Sequence, residues 1–524
     1  MAEVQIEIDD VARYGVIRDT PPHELPPEAW TLGENVRFAD DSVERLGGTA
    51  QIFGTPTVAP YAAQFISTVG LPYWLYFGLN KAYVYDGTSH TNITRQSAGV
   101  DVNYSATGSQ DWNTTILGGI PIRNNGIDVP QYWSALSPST KLANLPNWTA
   151  GMTAKVLRAF GPYLMALNVT VGGVVKPHNV RWSHPADPGT VPTSWDITDT
   201  TKNAGEVTLP DVDSGLIQDG LPLQGKFYVY KENSCWRFRN IGGRFIFDED
   251  AFLETIGILT SRCLAITGDG QRQVFTAGDN IYTHDGSNAK PLLNKRFRRY
   301  LFNQIDVSNY NQSFGFVNSV RDEYWFCYPA QGTSTCNRVL IVNYNTGAIT
   351  EGDIDFSWAT AGTLQTSDTE TWSAASGVWD TDTNPWSISY RRKIALMKPS
   401  ATKILQLDSG SVRDGVAFTG LIQRTSLGVI GRKRTGEWIE DFEVRKMVHR
   451  VWPKMSGGPV SLRLGGQDVP NGSVRWSQPV TFDPNTQTFC DIQAEGAAIA
   501  LEISGTSAWK LDGYKLDMVT MGRF

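Results

Sequence analysis

Apolar and polar residues alternate along most of this 524-residue chain in short runs, each ended by a turn, and sustained 3.6-residue periodicity is almost absent. The pattern predicts short strands with one buried face. Helical spacing is confined to 250–260 and 292–305, which predict short helices. Turn dipeptides are dense: Asp86-Gly87, Asn125-Gly126, Asp269-Gly270, Asp285-Gly286 and Asn471-Gly472. Both residues of such pairs tolerate the positive φ of a type I′ hairpin.

Aligning these turns exposes a weak repeat. Residues 74–94 and 274–292 each read as an apolar strand, a tight turn, an aromatic strand ending in Asp-Gly, then another strand. Residues 227–247 and 324–350 are looser copies, and 114–133 and 163–182 are more diverged ones. Units recur about every 45–55 residues, which suits propeller blades of four strands. A small sheet with aromatics on both faces cannot bury them alone, whereas sheets packed around an axis bury both. From about residue 411 the blade pattern stops. Val460, Leu462 and Leu464, then Ile499, Leu501 and Ile503, then Tyr514, Leu516 and Met518 alternate with polar neighbours, as in a β-sandwich. The expectation is all-β: residues 1–60 supply first strands able to close a propeller, 61–410 form the propeller of four-stranded blades, and 411–524 form a C-terminal sandwich. A Trp/Asp/Thr-rich insertion falls near 358–390, with few short helices elsewhere. Trp372, Trp379 and Trp386 in that insertion are candidate interaction-loop residues, because bare tryptophan is costly to expose.

Composition sharpens this. Hydrophobic residues are 41% and charged ones 19%, with 50 glycines and 17 tryptophans, which argues for packed strands and against disorder. The net charge of −7 does not suit a surface that grips DNA phosphates. The one compact basic run, Lys295-Arg296-Phe297-Arg298-Arg299, reads as a solvated helix face. Acidic groups at Asp248, Glu249 and Asp250 and at Glu351, Asp353 and Asp355 read as solvated turns or as candidate channel wall. Five widely spaced cysteines without a CxxC argue against disulfides or structural zinc. The first ten residues lack a basic and apolar leader, and no stretch is long and apolar enough for a helical membrane span. No GxSxG, HExxH, P-loop or GxGxxG occurs, so no catalytic, cofactor or metal residues are assigned and no enzymatic activity is expected. The six histidines show no ligand spacing, although His178 and His184 flank a Trp-containing strand.

One stretch carries more. Asp19-Thr-Pro-Pro-His-Glu-Leu-Pro-Pro-Glu-Ala-Trp30, Asn35-Val-Arg-Phe38 and Glu44-Arg-Leu-Gly-Gly48 resemble the opening of the tail nozzle proteins of short-tailed bacteriophages, also called tail tubular protein B or phage stabilisation protein. Val180-Arg181-Trp182-Ser183, Trp195-Asp196, Val342-Asn343-Tyr344-Asn345-Thr346-Gly347, the Trp372/Trp379 loop, Trp509, Leu511-Asp512-Gly513 and Gly522-Arg523 are similar in order. Ala348-Ile349 stands where that family has a tryptophan. The resemblance implies a structural virion protein, made in the host cytoplasm, that forms a hexameric ring below the adaptor (head-to-tail connector). Double-stranded DNA would pass through it without sequence-specific binding, and tail fibre, spike or needle proteins would lie nearby. The competing expectation is a carbohydrate-binding or carbohydrate-active propeller of a tail spike, stacking sugars on exposed tryptophans.

Overall fold

The computed structural model describes residues 3–39, 41–68, 71–210, 215–243, 245–294, 296–364 and 392–523. Among these are seven four-stranded antiparallel units. The first unit comprises Ala62–Thr68, Leu71–Phe77, Ala82–Tyr85 and His90–Asn92. The second to sixth follow in chain order and begin with Asn113–Leu117, Met152–Phe160, Ile217–Leu223, Leu264–Ile266 and Phe314–Asn318. The seventh begins with Trp358–Gly362 and continues through Lys393–Lys398 and Lys403–Leu407. Its fourth strand is Thr49–Gln51, which pairs with Lys403–Leu407 through Leu407↔Thr49 and Leu405↔Gln51. The first strand of each unit touches the first strand of the next, and Trp358–Gly362 touches Ala62–Thr68. The cycle therefore closes as a seven-bladed β-propeller with these first strands around its axis.

Apolar clusters between neighbouring blades hold the ring. Phe77 of the first blade stacks on Trp112 at 5.4 Å, and Tyr230 of the fourth meets Phe275 of the fifth at 4.9 Å. Between the last blade and the first, Ala395, Met397 and Ile404 pack on Ala63, Trp74 and Tyr76. Fully burying each of these large rings is worth roughly 1.5–3 kcal/mol, so seven such seams outweigh the weak turn propensities of any one blade.

Two further sheets form the sandwich. One contains Trp509–Arg523 and Val444–Gly457 with Cys490–Gly496, Ser42–Arg45, Val36–Ala39 and Glu3–Ile8. The other contains Gly420–Leu427, Ala498–Gly505 and Val460–Gln467, with Leu32–Glu34 at its inner end. Residues 3–45 thus belong to the sandwich although they lie farthest from it in sequence. Leu32–Glu34 also runs parallel to Ile349–Asp353, the outermost strand of the sixth blade, through Glu34↔Glu351. A single ten-stranded sheet therefore crosses from propeller to sandwich, and one apolar core spans both, from Tyr228 and Phe326 to Ile422 and Leu501.

Two local expectations are corrected. Residues 250–260 hold no helix: Phe247–Leu253 is a strand, because Asp248 and Asp250 sit opposite Arg239 and Arg237 and pair with them. Of 292–305, only Arg298–Gln304 is helical. The hairpin dipeptides also fold differently. Gly87, Gly126, Gly270 and Gly286 have positive φ but the Asp or Asn before each does not, and at 471–472 it is Asn471 that does. Side-chain hydrogen bonds replace the second left-handed residue, as where Asp86 Oδ1 accepts from the backbone N–H of Thr88 and Ser89.

Candidate functional site

The first strand of a propeller blade has an unpaired edge facing the axis, and its backbone groups need partners. Here neighbouring blades supply them. Asn113 Nδ2 donates to the Lys155 carbonyl at 3.0 Å, and its Oδ1 accepts from the Leu157 N–H at 2.9 Å. Gln64 Nε2 donates to the Thr115 carbonyl, Arg158 Nη1 to the Thr114 carbonyl and Asn168 Nδ2 to the Ile217 carbonyl. Polar residues thus collect on the axis as the price of satisfying these strand edges.

They surround a cavity of about 420 Å³ at the second to fifth blades. Arg158 reaches Asp219 with two bonds of 2.8 Å, a bidentate pair between the third and fourth blades. Asp219 also accepts from the backbone N–H of Gly220 and Arg262. Lys155 donates to Gln218, whose Nε2 donates on to Glu232. Arg262 enters from the connector to the fifth blade. It is 8% exposed and holds a φ of +99°, in a region that costs a non-glycine residue of order 1–3 kcal/mol. Its Nη1 and Nη2 donate to the carbonyls of Ser357 and Gln312. Burial lowers the pKa of both Arg262 and Lys155.

A second constellation lies where the propeller meets the sandwich. Arg37 is 2% exposed. Its Nε and Nη2 reach Glu323 of the sixth blade at 2.5 and 3.0 Å, and its Nη1 and Nη2 reach Asp408 of the seventh at 3.2 and 3.0 Å. Burial opposes the Arg37 charge, but the two carboxylates outweigh it and raise its pKa. Beside it Glu351 accepts from Arg18 at 2.7 Å and from Arg338 at 3.0 Å, and Arg338 also holds Glu34 and Asp353. The guanidinium groups of Arg45 and Arg413 both lie over the Phe418 ring, 3.7 and 4.0 Å from its centroid. Arg424, buried in the sandwich, donates to the carbonyls of Pro22 and Leu25 and pins the proline-rich lead; burial lowers its pKa to about 10.

The six acidic candidates do not form one wall. Asp248 and Asp250 lie on the outermost strand of the fourth blade, paired with Arg239 and Arg237, and burial raises the pKa of Glu249 between them. Glu351 is 1% exposed and consumed by the Arg18/Arg338 clamp, so it is corrected from surface acid to interior ion-pair partner. Asp353 pairs with Arg338 and Asp355 with Lys398. Trp372, Trp379 and Trp386 lie outside the described residues. His184 accepts through Nδ1 from the Asn203 N–H, and no group of three or more His, Cys, Asp or Glu suited to a metal occurs among the described residues. All five cysteines are free thiols. No helix among the described residues is long and apolar enough to cross a membrane.

The sequence reading missed Arg37, Arg262 and Arg424. Arg37 had a visible signal, a charge between Val36 and Phe38 in an otherwise apolar strand. Arg262 had none.

No family model matches the chain, and no curated protein matches it. Among solved structures it is similar to PorZ of Porphyromonas gingivalis, described as an essential bacterial surface component of the type-IX secretion system. The identity is 11% over 84% of this chain, with a TM-score of 0.37. The chain spans about half of PorZ, 47% of its length. It is also similar to the β-propeller domain of Myceliophteria thermophila Cps50 (Swd1), at 8% identity, covering 70% of this chain and 99% of that domain, with a TM-score of 0.39.

Proposed function

We propose that this chain is a non-enzymatic structural protein of a short-tailed phage tail. In this reading it forms a nozzle ring below the adaptor, retains the genome and then lets it pass. One observation carries the reading: the segment on which the family resemblance rests is the segment that welds the two domains. Trp30 is 2% exposed and donates through Nε1 to the Val11 carbonyl. Leu32–Glu34 joins the sixth blade to the sandwich. Asn35 holds a φ of +56° and accepts from the Asp353 N–H and from Arg413. Arg37 then ties two blades to the sandwich. A segment that makes such a joint suits a wall element that must not shear between its halves, and the net charge of −7 suits a wall along which DNA slides rather than sticks.

Electron microscopy of the purified chain mixed with nozzle-less tails tests this. The expected result is a ring of several copies seated below the adaptor. A chain that stays dispersed and never joins the tails would overturn the reading. Under the same proposal Trp372, Trp379 and Trp386 are interaction-loop residues, and tail fibre, spike or needle proteins are partners to be located on the assembled particle.

A further inference from the structure

Two Asn-Gly pairs occur in the chain, at 125–126 and 471–472, and the fold treats them in opposite ways. Asn125 is 4% exposed and its side chain is fully engaged: Oδ1 accepts from the N–H of Ile127 and Asp128, and Nδ2 donates to Asp128 at 2.7 Å. Asn471 is exposed, next to a Val469 that is 59% exposed. Val469 to Gly472 form a turn with Pro470 and Asn471 at its centre, closed by the Gly472 N–H donating to the Val469 carbonyl at 3.0 Å. Asn471 supplies a φ of +60° at the second central position, where such a turn favours glycine or asparagine. Its amide is flanked on both sides by groups that can act on it. Nδ2 donates to His23 Nδ1 at 2.6 Å, and Oδ1 accepts from the Ser426 hydroxyl at 3.4 Å. His23 belongs to the proline-rich lead, 448 residues earlier in the chain.

We propose that Asn471 is a self-modification site, at which the Gly472 nitrogen displaces the side-chain amide as ammonia with His23 as the general acid. In the first step a bond forms between Gly472 N and Asn471 Cγ, and glycine has no Cβ to shield that nitrogen. The hydrogen bond from Gly472 to Val469 opens for this step, and Ser426 is placed to donate to the oxygen as Cγ becomes tetrahedral. The former amide nitrogen then has a lone pair. It takes a proton from the imidazolium form of His23 and leaves as ammonia, and the proton lost by Gly472 replaces the one that His23 gave. Water opens the resulting cyclic imide at either carbonyl, yielding aspartate or isoaspartate with no change of oxidation state. Aspartate puts a carboxylate where His23 Nδ1 met an amide, while Glu24 lies 3.8 Å from Nε2 of the same ring. A neutral hydrogen bond between lead and sandwich thereby becomes an ion pair. Isoaspartate instead lengthens by one carbon the backbone of a turn whose Gly472 carbonyl accepts from Gln467 Nε2. Either product adds a negative charge at the contact between lead and sandwich. The inference does not depend on the nozzle reading, because it concerns a single chain.

The test is peptide mapping by mass spectrometry after long incubation of the full chain in oxygen-18 water at neutral pH, with a parallel sample unfolded in urea. In urea, Asn125 and Asn471 should convert at similar rates. In the folded chain only Asn471 of the two should convert, to a mixture of aspartate and isoaspartate that carries the label. His23→Gln should slow the folded-state conversion at least about tenfold and leave the rate in urea unchanged, with an unchanged melting temperature showing that the variant is folded. The comparison of the two asparagines needs no variant and stands even if His23→Gln fails to fold. An Asn471 that stays intact in the folded chain while urea converts it, a product without isoaspartate, equal conversion of Asn125 in the folded chain, or a folded His23→Gln chain that converts at the wild-type rate would each overturn the proposal.

Discussion

The fifth and seventh blades are the same four-stranded sheet built in two ways. The fifth lies wholly within Leu264–Pro291, and its turns are made locally, with Asp269 accepting from Thr267 and Gln271 and Asp285 accepting from Ser287. The seventh takes three strands from 358–407 and its fourth from Thr49–Gln51, more than 300 residues away. Loop-closure entropy grows only with the logarithm of loop length, so closing the ring with a distant strand costs little more than closing it with a near one. It gains a lock, because the ring cannot open without stripping that strand from the sheet. The two sides also use different forces. Seams between blades, the closing one included, are packed with apolar and aromatic side chains such as Trp74 and Tyr76, whereas the joint of the sixth and seventh blades with the sandwich is held by buried charge: Arg37 with Glu323 and Asp408, and Glu351 with Arg18 and Arg338.

The largest expected effect breaks the charged side. Arg37→Met preserves most of the side-chain volume but leaves Glu323 buried without its cation. Breaking one partner of a buried pair costs about 3–5 kcal/mol, and a urea midpoint should fall accordingly. A loss below about 1 kcal/mol, the level of an exposed pair, would mean that aromatic packing carries that joint as well. The aromatic side is probed by pH. His284 of the fifth blade is 2% exposed and bonded to the Tyr230 hydroxyl of the fourth, and burial lowers its pKa from 6.5 to about 4. Between those values the unfolded chain binds a proton that the folded chain does not. Stability should therefore fall as pH drops from about 6.5 towards 4, by up to about 3 kcal/mol from this residue. His284→Gln should flatten that part of the stability–pH curve, and a wild-type slope retained in full would show that the interface does not exclude the charge.

The same contrast explains what could be read from the chain. Residues 74–94, 114–133, 163–182, 227–247, 274–292 and 324–350 each fall within one of the first six blades, because strand, turn and strand are consecutive there and the pattern is local. The seventh blade was illegible: about 30 residues separate its first two strands, and its last is the three-residue Thr49–Gln51. Carboxylates were equally opaque. Glu351 and Asp355 stand four residues apart in one acidic stretch, yet the first is inside and the second is 47% exposed at its side chain. Alternation cannot separate them, because Ile349–Asp353 is buried on both faces over its first four residues. The axial cavity left no trace in the sequence at all. Asn113, Lys155, Asp219 and Arg262 come from four successive blades and meet only once the ring has closed.

Two smaller changes sharpen the contrast at the closing seam. A Cβ on Gly362 would stand 2.5 Å from Phe65 and 2.6 Å from Trp74 of the first blade, whereas one on Gly278 of the fifth blade meets open space. Gly362→Ala should cost about 1–3 kcal/mol by overpacking, and Gly278→Ala should lie within about 0.5 kcal/mol of wild type. Equal effects would show that the seam has slack. The smallest change asks whether every charge at the joint counts. Asp355 pairs with Lys398 from an exposed position, and Lys398 keeps Asp414 at 3.1 Å when Asp355 is lost. Asp355→Asn should therefore alter stability by less than about 0.5 kcal/mol, measured beside Arg37→Met in the same denaturant series. A cost near that of Arg37→Met would mean that the charges act as one coupled network spanning solvent and interior. A negligible cost would confine the lock to the ion pairs that water cannot reach.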